Sequence, residues 1–299
     1  MKRLRGKLEY KYLGISVVFC LFFCFFLKRE ILVKVVYQSL VPSEAALLAG
    51  MLWGGKENLG KELYRNLTDS GLLHLVVVSG TNLTIISRSL VEFLAKIIGR
   101  YTAIVVGMMI ALTYINIVGW QIPVIRAELF MGFYFGAQFL GRQFKPLKIW
   151  LVVGALMFFA NFKIVNEVSF WLSMMAFLAV LTSSGKNIIK TNLWVNLVVT
   201  PIIAFKFGSI GPWSILVNLG VLFMVEILTI LGFVGSLLGL IILPVGKIVL
   251  SLCYPFLRYL VEIVNFFGQS GAIKISFNVW MLLGWYLLLG VYWYEKIRK

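Results

Sequence analysis

Apolar residues run along this chain in long blocks, and polar residues fill short gaps between them. The first block, residues 13–27, follows Lys2, Arg3, Arg5, Lys7 and Lys11. It ends in Lys28, Arg29 and Glu30 rather than in a small-residue cleavage site, which predicts a retained first span and not a signal peptide. Further blocks at about 72–98, 101–118, 122–140, 147–162, 168–184, 192–208, 213–231, 233–250 and 276–294 are each near the ~20 residues a helix needs to cross a bilayer. Gly232 reads as a turn between two of them. The segment 255–267 is shorter and holds Arg258 and Glu262, so an interfacial or re-entrant helix is expected there. Residues 28–71 form the longest polar stretch. Within it Ala45, Leu48, Ala49 and Leu52 recur at helical spacing, which predicts an interfacial amphipathic helix.

Composition narrows the class. The chain has 299 residues, 61% hydrophobic and 13% charged. Soluble domains are about 45–50% apolar and about 25% charged, and disordered chains are poorer still in apolar residues. The expectation is an all-α, polytopic transmembrane helix bundle of about ten spans with a broken or re-entrant helix, and no room for a sizeable soluble domain.

Charge sets the orientation. Lys and Arg number 28 against 12 acidic residues, a net charge of +16. Part of this excess is topological, because cytoplasmic loops collect Lys and Arg. With the N-terminus inside, the connections holding Arg100, then Arg142, Lys145 and Lys148, then Lys186 and Lys190 fall on the cytoplasmic side. So do Lys296, Arg298 and Lys299. Residues 28–71 fall outside, their six basic residues offset by five acidic ones. A cytoplasmic-membrane protein with both termini inside is predicted. The remaining positive charge could serve a polyanionic substrate. Cys20, Cys24 and Cys253 all sit in apolar runs, without disulfide or zinc spacing, and His74 is the only histidine. No metal and no cofactor are expected.

Four polar constellations interrupt the apolar blocks. In Ser70-Gly71-Leu72-Leu73-His74-Leu75-Val76-Val77-Val78-Ser79-Gly80-Thr81-Asn82, residue types that favour leaving a helix fall at membrane depth. Non-helical backbone is tolerated there only inside protein or beside a wet cavity. One reading is a broken helix whose second half begins at 79–82 and attracts anions; the other is a kink satisfied by a neighbouring helix. His74 lies five residues from both Asp69 and Ser79, but no Gly-x-Ser-x-Gly elbow surrounds Ser79, and a hydrolase triad is disfavoured. Next, Pro123 suits a first helical turn, with Arg126 and Glu128 following on different faces. Intramembrane charges are functional candidates, though an Arg near a helix end also snorkels to headgroups. Glu128, Gly132 and Gly136 share one face, and the two glycines would allow close helix contact. Ser169, Ser173 and Ala176 form a small-residue stripe that reads as packing. Finally Asn192, Asn196 and Thr200, ending at Pro201, with Lys206, Asn218 and Glu226 beyond, suggest a polar-lined interior.

Taken together, three of these segments resemble the ComEC family of competence proteins. The first, Gly71-Leu72-Leu73-His74-Leu75-Val76-Val77-Val78-Ser79-Gly80, is similar to the family's Gly-Leu-x-His-Leu-Leu-Ala-Ile-Ser-Gly. The stretch from Pro123-Val124-Ile125-Arg126-Ala127-Glu128-Leu129-Phe130-Met131 to Gly141-Arg142 is similar to its Pro-Ser-Val-x-Arg-Ala-x-Leu-Met block ending in Gly-Arg. Ser169-Phe170-Trp171-Leu172-Ser173-Met174-Met175-Ala176 is similar to its Ser-Phe-Gln-Leu-Ser-Phe-x-Ala. A weaker match is Pro212-Trp213-Ser214-Ile215-Leu216-Val217-Asn218-Leu219. Order and spacing agree over about residues 43–230. Departures are Thr81-Asn82 for Leu-His, Glu128, and Trp171 for Gln. The resemblance implies a first span and external linker at 1–42, a membrane competence (channel) domain at 43–250, and an interfacial helix and last span at 251–299.

By the same resemblance, the expected function is a channel for single-stranded DNA across the cytoplasmic membrane during natural transformation. His74, Ser79, Gly80, Asn82, Arg126, Glu128, Ser169, Ser173 and Asn218 would form the DNA path or the structural core of the channel. Larger members also carry an oligonucleotide-binding-type domain and a metallo-β-lactamase-like domain. This chain is expected to lack both, and so to be no enzyme and to have no catalytic residues. Partners implied are single-stranded DNA, the lipid bilayer, a DNA receptor, a cytoplasmic motor and further copies of the chain. The alternative is a secondary transporter of a small solute, proton-coupled through Glu128 or Glu226. A third reading is an intramembrane hydrolase built on Ser79 and His74. Reporter fusions at Lys56 and Lys186 are expected to report opposite sides of the membrane; the same side for both would overturn the topology.

Overall fold

The computed structural model describes residues 28–55, 58–76, 79–183, 187–275 and 277–298. The expected first span at 13–27 lies outside the described residues. The rest is nearly all helix, as the apolar blocks predict. Among the described residues fourteen α-helices run in chain order: α1 (Arg29–Tyr37), α2 (Pro42–Trp53), α3 (Lys61–Asp69), α4 (Leu73–Val76), α5 (Gly80–Ile98), α6 (Arg100–Val118), α7 (Ile122–Phe139), α8 (Pro146–Ala160), α9 (Val168–Thr182), α10 (Ile188–Phe207), α11 (Ser214–Ile241), α12 (Leu243–Ser251), α13 (Tyr254–Gly268) and α14 (Val279–Arg298). Two short strands, β1 (Ser209–Ile210) and β2 (Ile273–Lys274), pair antiparallel.

Three of these helices, α6, α10 and α11, are long and apolar enough to cross a membrane. A fourth such segment is α12 with α13, bent by 49° where the 255–267 region was expected to be interfacial or re-entrant. The helices α8 and α9 are apolar but only 15 residues long. At 1.5 Å per residue that is roughly 22 Å, short of the ~30 Å hydrocarbon core. Among the described residues, therefore, three or four helices meet the length and hydropathy a span needs, against the ten expected.

Two expectations are corrected by the packing. Gly232 is not a turn: α11 runs through it for 28 residues. No proline interrupts this stretch, and a lone glycine costs a helix only ~1 kcal/mol. The glycine is used for contact instead, since a Cβ there would lie 2.6 Å from Leu52 Cδ1 and 2.9 Å from Leu48 Cδ1. Likewise, the apolar positions 45–52 do not make an interfacial helix. Every residue of α2 from Glu44 to Trp53 is buried. Its sequence after Ser43 is apolar on all faces but for Glu44, and such a helix belongs in a core. The amphipathic helix of this region is α3, which buries only Asn66 and Leu67.

The described chain divides into two compact units. One holds the described residues up to Lys61, His74–Lys145 and Phe223–Glu262. In it α5 and α6 form an antiparallel hairpin about the single residue Gly99, whose φ of 84° suits glycine. Val91 and Gly107, each eight positions from Gly99, meet across the pair: a Cβ on Gly107 would lie 2.2 Å from Val91 Cγ2. Helix α7 completes this core with Met131 and Phe135 against Val91, Ala103 and Ile104.

The other unit holds Glu62–Leu73, Pro146–Leu222 and Ile263–Lys299. Here indole N–H groups tie the helices. Trp150 donates to the Met174 carbonyl (2.9 Å) and Trp194 to Thr182 Oγ1 (3.0 Å). Pro201, inside α10, has no N–H to give the Leu197 carbonyl one turn back. That carbonyl accepts from Trp285 Nε1 of α14 (3.1 Å), and the Val198 carbonyl accepts from the Tyr286 hydroxyl (2.7 Å). The polar stripe on the same helix is satisfied locally, with Asn196 Nδ2 donating to Asn192 Oδ1 (2.9 Å).

The proline and the tryptophan should therefore be coupled. Trp285→Phe is expected to cost about 1 kcal/mol of stability, and much less in a Pro201→Ala background, where the restored N–H re-forms the helical bond. Unfolding of the four variants in detergent checks this; equal costs in both backgrounds would contradict it.

Candidate functional site

The expected break in the helix at 79–82 is present. Helix α4 ends at Val76, and Ser79 is extended (φ −99°, ψ 148°) as the N-cap of α5. Val77 and Val78 of the same motif lie outside the described residues. The irregular segment is shorter than expected, because Gly80, Thr81 and Asn82 are already helical. The reason is the cap: Ser79 Oγ accepts the Asn82 backbone N–H at 3.3 Å and closes the first turn.

The glycine of this motif is a crossing point. A Cβ on Gly80 would lie 2.6 Å from the Pro123 carbonyl oxygen, 2.7 Å from Ala127 Cβ and 3.1 Å from Arg126 Nη2. Only glycine lets the starts of α5 and α7 approach this closely. Arg126 thus stands beside the break, with its guanidinium at the N-terminal end of α5. A helix N-terminus repels a cation, so acceptor groups must offset that charge.

Asn82 is the polar centre of the same region and is 1% exposed. Its Nδ2 donates to the Met51 carbonyl at 2.7 Å. Its Oδ1 accepts from Thr229 Oγ1 of α11 at 3.3 Å. Met51 belongs to the C-terminal end of α2, where the last four carbonyls of any helix lack internal donors. Here that end is buried, and side chains serve it. Tyr114 of α6 donates its hydroxyl to the Leu52 carbonyl (2.5 Å), and the Gly54 N–H reaches the Gly50 carbonyl (3.2 Å). Trp53 Nε1 reaches Ser236 Oγ at 3.4 Å. Gly50 lets α4 approach closely, since a Cβ there would be 2.4 Å from Val76 Cγ1. The other end of α2 holds Glu44, 0% exposed, in the first turn. Its carboxylate faces Arg258 of α13 at 3.7 Å and accepts from Ser43 Oγ at 2.5 Å.

The sequence-derived site residues separate into groups. Ser79, Gly80, Asn82 and Arg126 converge at the break. His74 is exposed on α4. Asp69 pairs with Arg65 at 3.6 Å. Glu128 has a buried carboxylate oxygen, Oε2, without a hydrogen-bond partner among the described residues. Among the described residues the expected close packing at Gly132 and Gly136 is absent, with nothing within 4 Å of a Cβ on either. Ser169, Ser173 and Asn218 belong to the other unit. Ser173 Oγ donates to the Phe170 carbonyl of its own helix at 3.2 Å, and Trp171 Nε1 ties back to the Val165 carbonyl at 2.7 Å. Sequence reasoning missed Tyr114, Thr229, Glu44 and Arg258. The signal for the first two was a hydroxyl within an apolar helix, shared with other hydroxyls of the same helices.

The chain is thus an almost wholly helical protein, with helices able to cross a membrane and a capped, buried helix break. A family profile described as "Competence protein" matches residues 51–299, and the chain belongs to that family. It is 26% identical over 155 residues to Recombination protein 2 of Haemophilus influenzae, covering 49% of this chain and 20% of that protein. It is 30% identical over 247 residues to an uncharacterised protein of Aquifex aeolicus, covering 78% of this chain and 56% of that protein. The chain therefore spans between a fifth and just over half of these relatives' lengths. No solved structure matches it.

The capping of α2 sets a measurable cost. Tyr114→Phe strands the Leu52 carbonyl, and Asn82→Leu strands that of Met51. Each is expected to lose about 1–3 kcal/mol of stability, read as a lower unfolding midpoint of the purified protein. Wild-type midpoints for both would contradict the capping role.

Proposed function

We propose that the chain is the membrane channel through which single-stranded DNA crosses the cytoplasmic membrane during natural transformation. Membership of the competence protein family over residues 51–299 carries this reading. In it the apolar blocks form about ten spans, both termini lie in the cytoplasm, and the chain performs no catalysis of its own. A DNA receptor outside and a motor inside would be its partners, with further copies of the chain as neighbours.

The geometry around the break supports the proposal. A strand crossing a bilayer needs a path walled by protein, and helix breaks at depth are tolerated where they are enclosed by protein or line such a path. Arg126 either holds the break through charge-assisted bonds to freed carbonyls or meets a passing phosphate. A bidentate clamp needs the planar guanidinium, whereas a phosphate contact survives as a point charge.

One observation favours a second reading. The buried, unbonded Oε2 of Glu128 is the kind of group a proton would satisfy, as in a proton-coupled carrier of a small solute. That reading requires Glu128→Gln to abolish function; a channel should tolerate it.

Uptake of labelled DNA into the cytoplasm is the direct test. Cells lacking the gene are expected to bind DNA but not internalise it, and the intact gene should restore uptake. Undiminished internalisation without the gene would overturn the proposal. Arg126→Ala is expected to abolish the restoration, and Arg126→Lys separates the two roles by failing only if the residue is a clamp.

A further inference from the structure

Helix α5 carries a polar face that the break does not use. Thr81, Thr84, Arg88, Glu92 and Lys96 follow one another at spacings of three and four, so they share one side of the helix. Thr81, Arg88, Glu92 and Lys96 are exposed. Arg88 and Glu92 pair at 2.8 Å while their side chains remain 69% and 55% exposed.

The depth of this pair follows from the hairpin. Val91 touches Gly107 at equal distance from Gly99, so position 88 lies level with about position 110 of α6. Helix α6 is long and apolar enough to cross a membrane, and its midpoint is residue 109 of Arg100–Val118. The Arg88–Glu92 pair therefore sits level with the middle of α6, a helix able to span a membrane. Helix α11 adds a further charge, for Glu226 is exposed near its midpoint. A charge facing acyl chains at the centre of a bilayer is strongly disfavoured. Exposed charges at such a depth are tolerated beside water or protein rather than beside acyl chains.

The composition of this face and its end identifies the occupant. At the Gly99 end, Lys96 is followed by Arg100, which donates to Gln138 Oε1 at 2.6 Å. Tyr101 and Phe139, both exposed, meet edge to face with centroids 5.4 Å apart, and exposed Arg142 follows. Basic groups for phosphates beside aromatic rings for bases are what a groove for single-stranded nucleic acid requires.

We infer that the exposed polar face of α5 walls a water-filled path for a single nucleic-acid strand, with Arg88 contacting phosphate at mid-depth. The inference rests on the proposed channel function and names its wall. Glu92 and Glu226 neutralise the guanidinium when the path is empty, and a phosphate replaces a carboxylate when the strand is present. Such exchange keeps the contact weak enough to release, as conduction requires.

Cysteine labelling tests it. In a full-length chain with Cys20, Cys24 and Cys253 replaced by Ser, single substitutions Thr81→Cys, Thr84→Cys, Arg88→Cys, Glu92→Cys and Lys96→Cys are exposed to a membrane-impermeant maleimide, in cells and in inverted vesicles. Phe93→Cys and Ile97→Cys, exposed apolar positions of the same helix, are the controls. The five polar positions are expected to label several-fold faster than the controls, and labelling of Thr84→Cys should be lost during active DNA uptake. Arg88→Gln should reduce uptake at unchanged protein level, and Arg88→Lys should retain it. Labelling no faster than the controls would overturn the inference. So would labelling that persists during uptake, or a Thr84→Cys disulfide between two copies. The gene-deletion assay reads the channel function separately, so either reading can fail while the other stands.

Discussion

The structure of the first unit depends on keeping one buried helix end satisfied. Helix α2 has 12 residues, roughly 18 Å, and its C-terminal end is closed off from solvent. Orphan carbonyls in an apolar interior would cost several kcal/mol each. They are met by Asn82, Tyr114 and the Gly54 N–H, which come from α5, α6 and the chain just beyond α2. The need to bring these donors to one place fixes how α5 and α6 meet α2, and Thr229 adds α11 through Asn82. The helix break follows from the same need. Because α5 starts afresh at Ser79, Asn82 falls in its first turn, aimed at Met51. Gly50, Gly80 and Gly232 then allow the close approach that these short bonds require.

The second unit meets a similar demand by other means. There the orphan carbonyl is made within a helix, by Pro201, and is met by an indole from α14. In both units the polar side chains of an apolar sequence serve mainly to satisfy backbone. Asn192 and Asn196, which looked like the lining of a polar interior, bond to one another. The residues that remain for polar work are the exposed ones, on α5 above all.

Much of this was legible in the sequence. Apolar block lengths located α5 to α10 and α14, and the Ser-Gly-Thr-Asn interruption located the break. Proline at 123 marked a helix start correctly. What was not legible depended on partners far along the chain. Helix α2 looked interfacial because it lies within the longest polar stretch, and its buried Glu44 is faced by Arg258, more than two hundred residues later. Gly232 looked like a turn because glycine ends helices as readily as it packs them, and only Leu48 and Leu52 decide which. Gly132 and Gly136 looked like a packing face, yet nothing in the described chain fills it. Asn82, at a departure from the ComEC pattern, became a hub that spacing alone could not single out.

Amide hydrogen exchange of the full chain in lipid nanodiscs tests the buried helix most directly. Amides of the second half of α2, from Leu47 to Trp53, are expected to be among the slowest in the protein, while those of the exposed α3 exchange early. Exchange of α2 as fast as that of α3 would place α2 at the membrane surface and contradict the arrangement built around it.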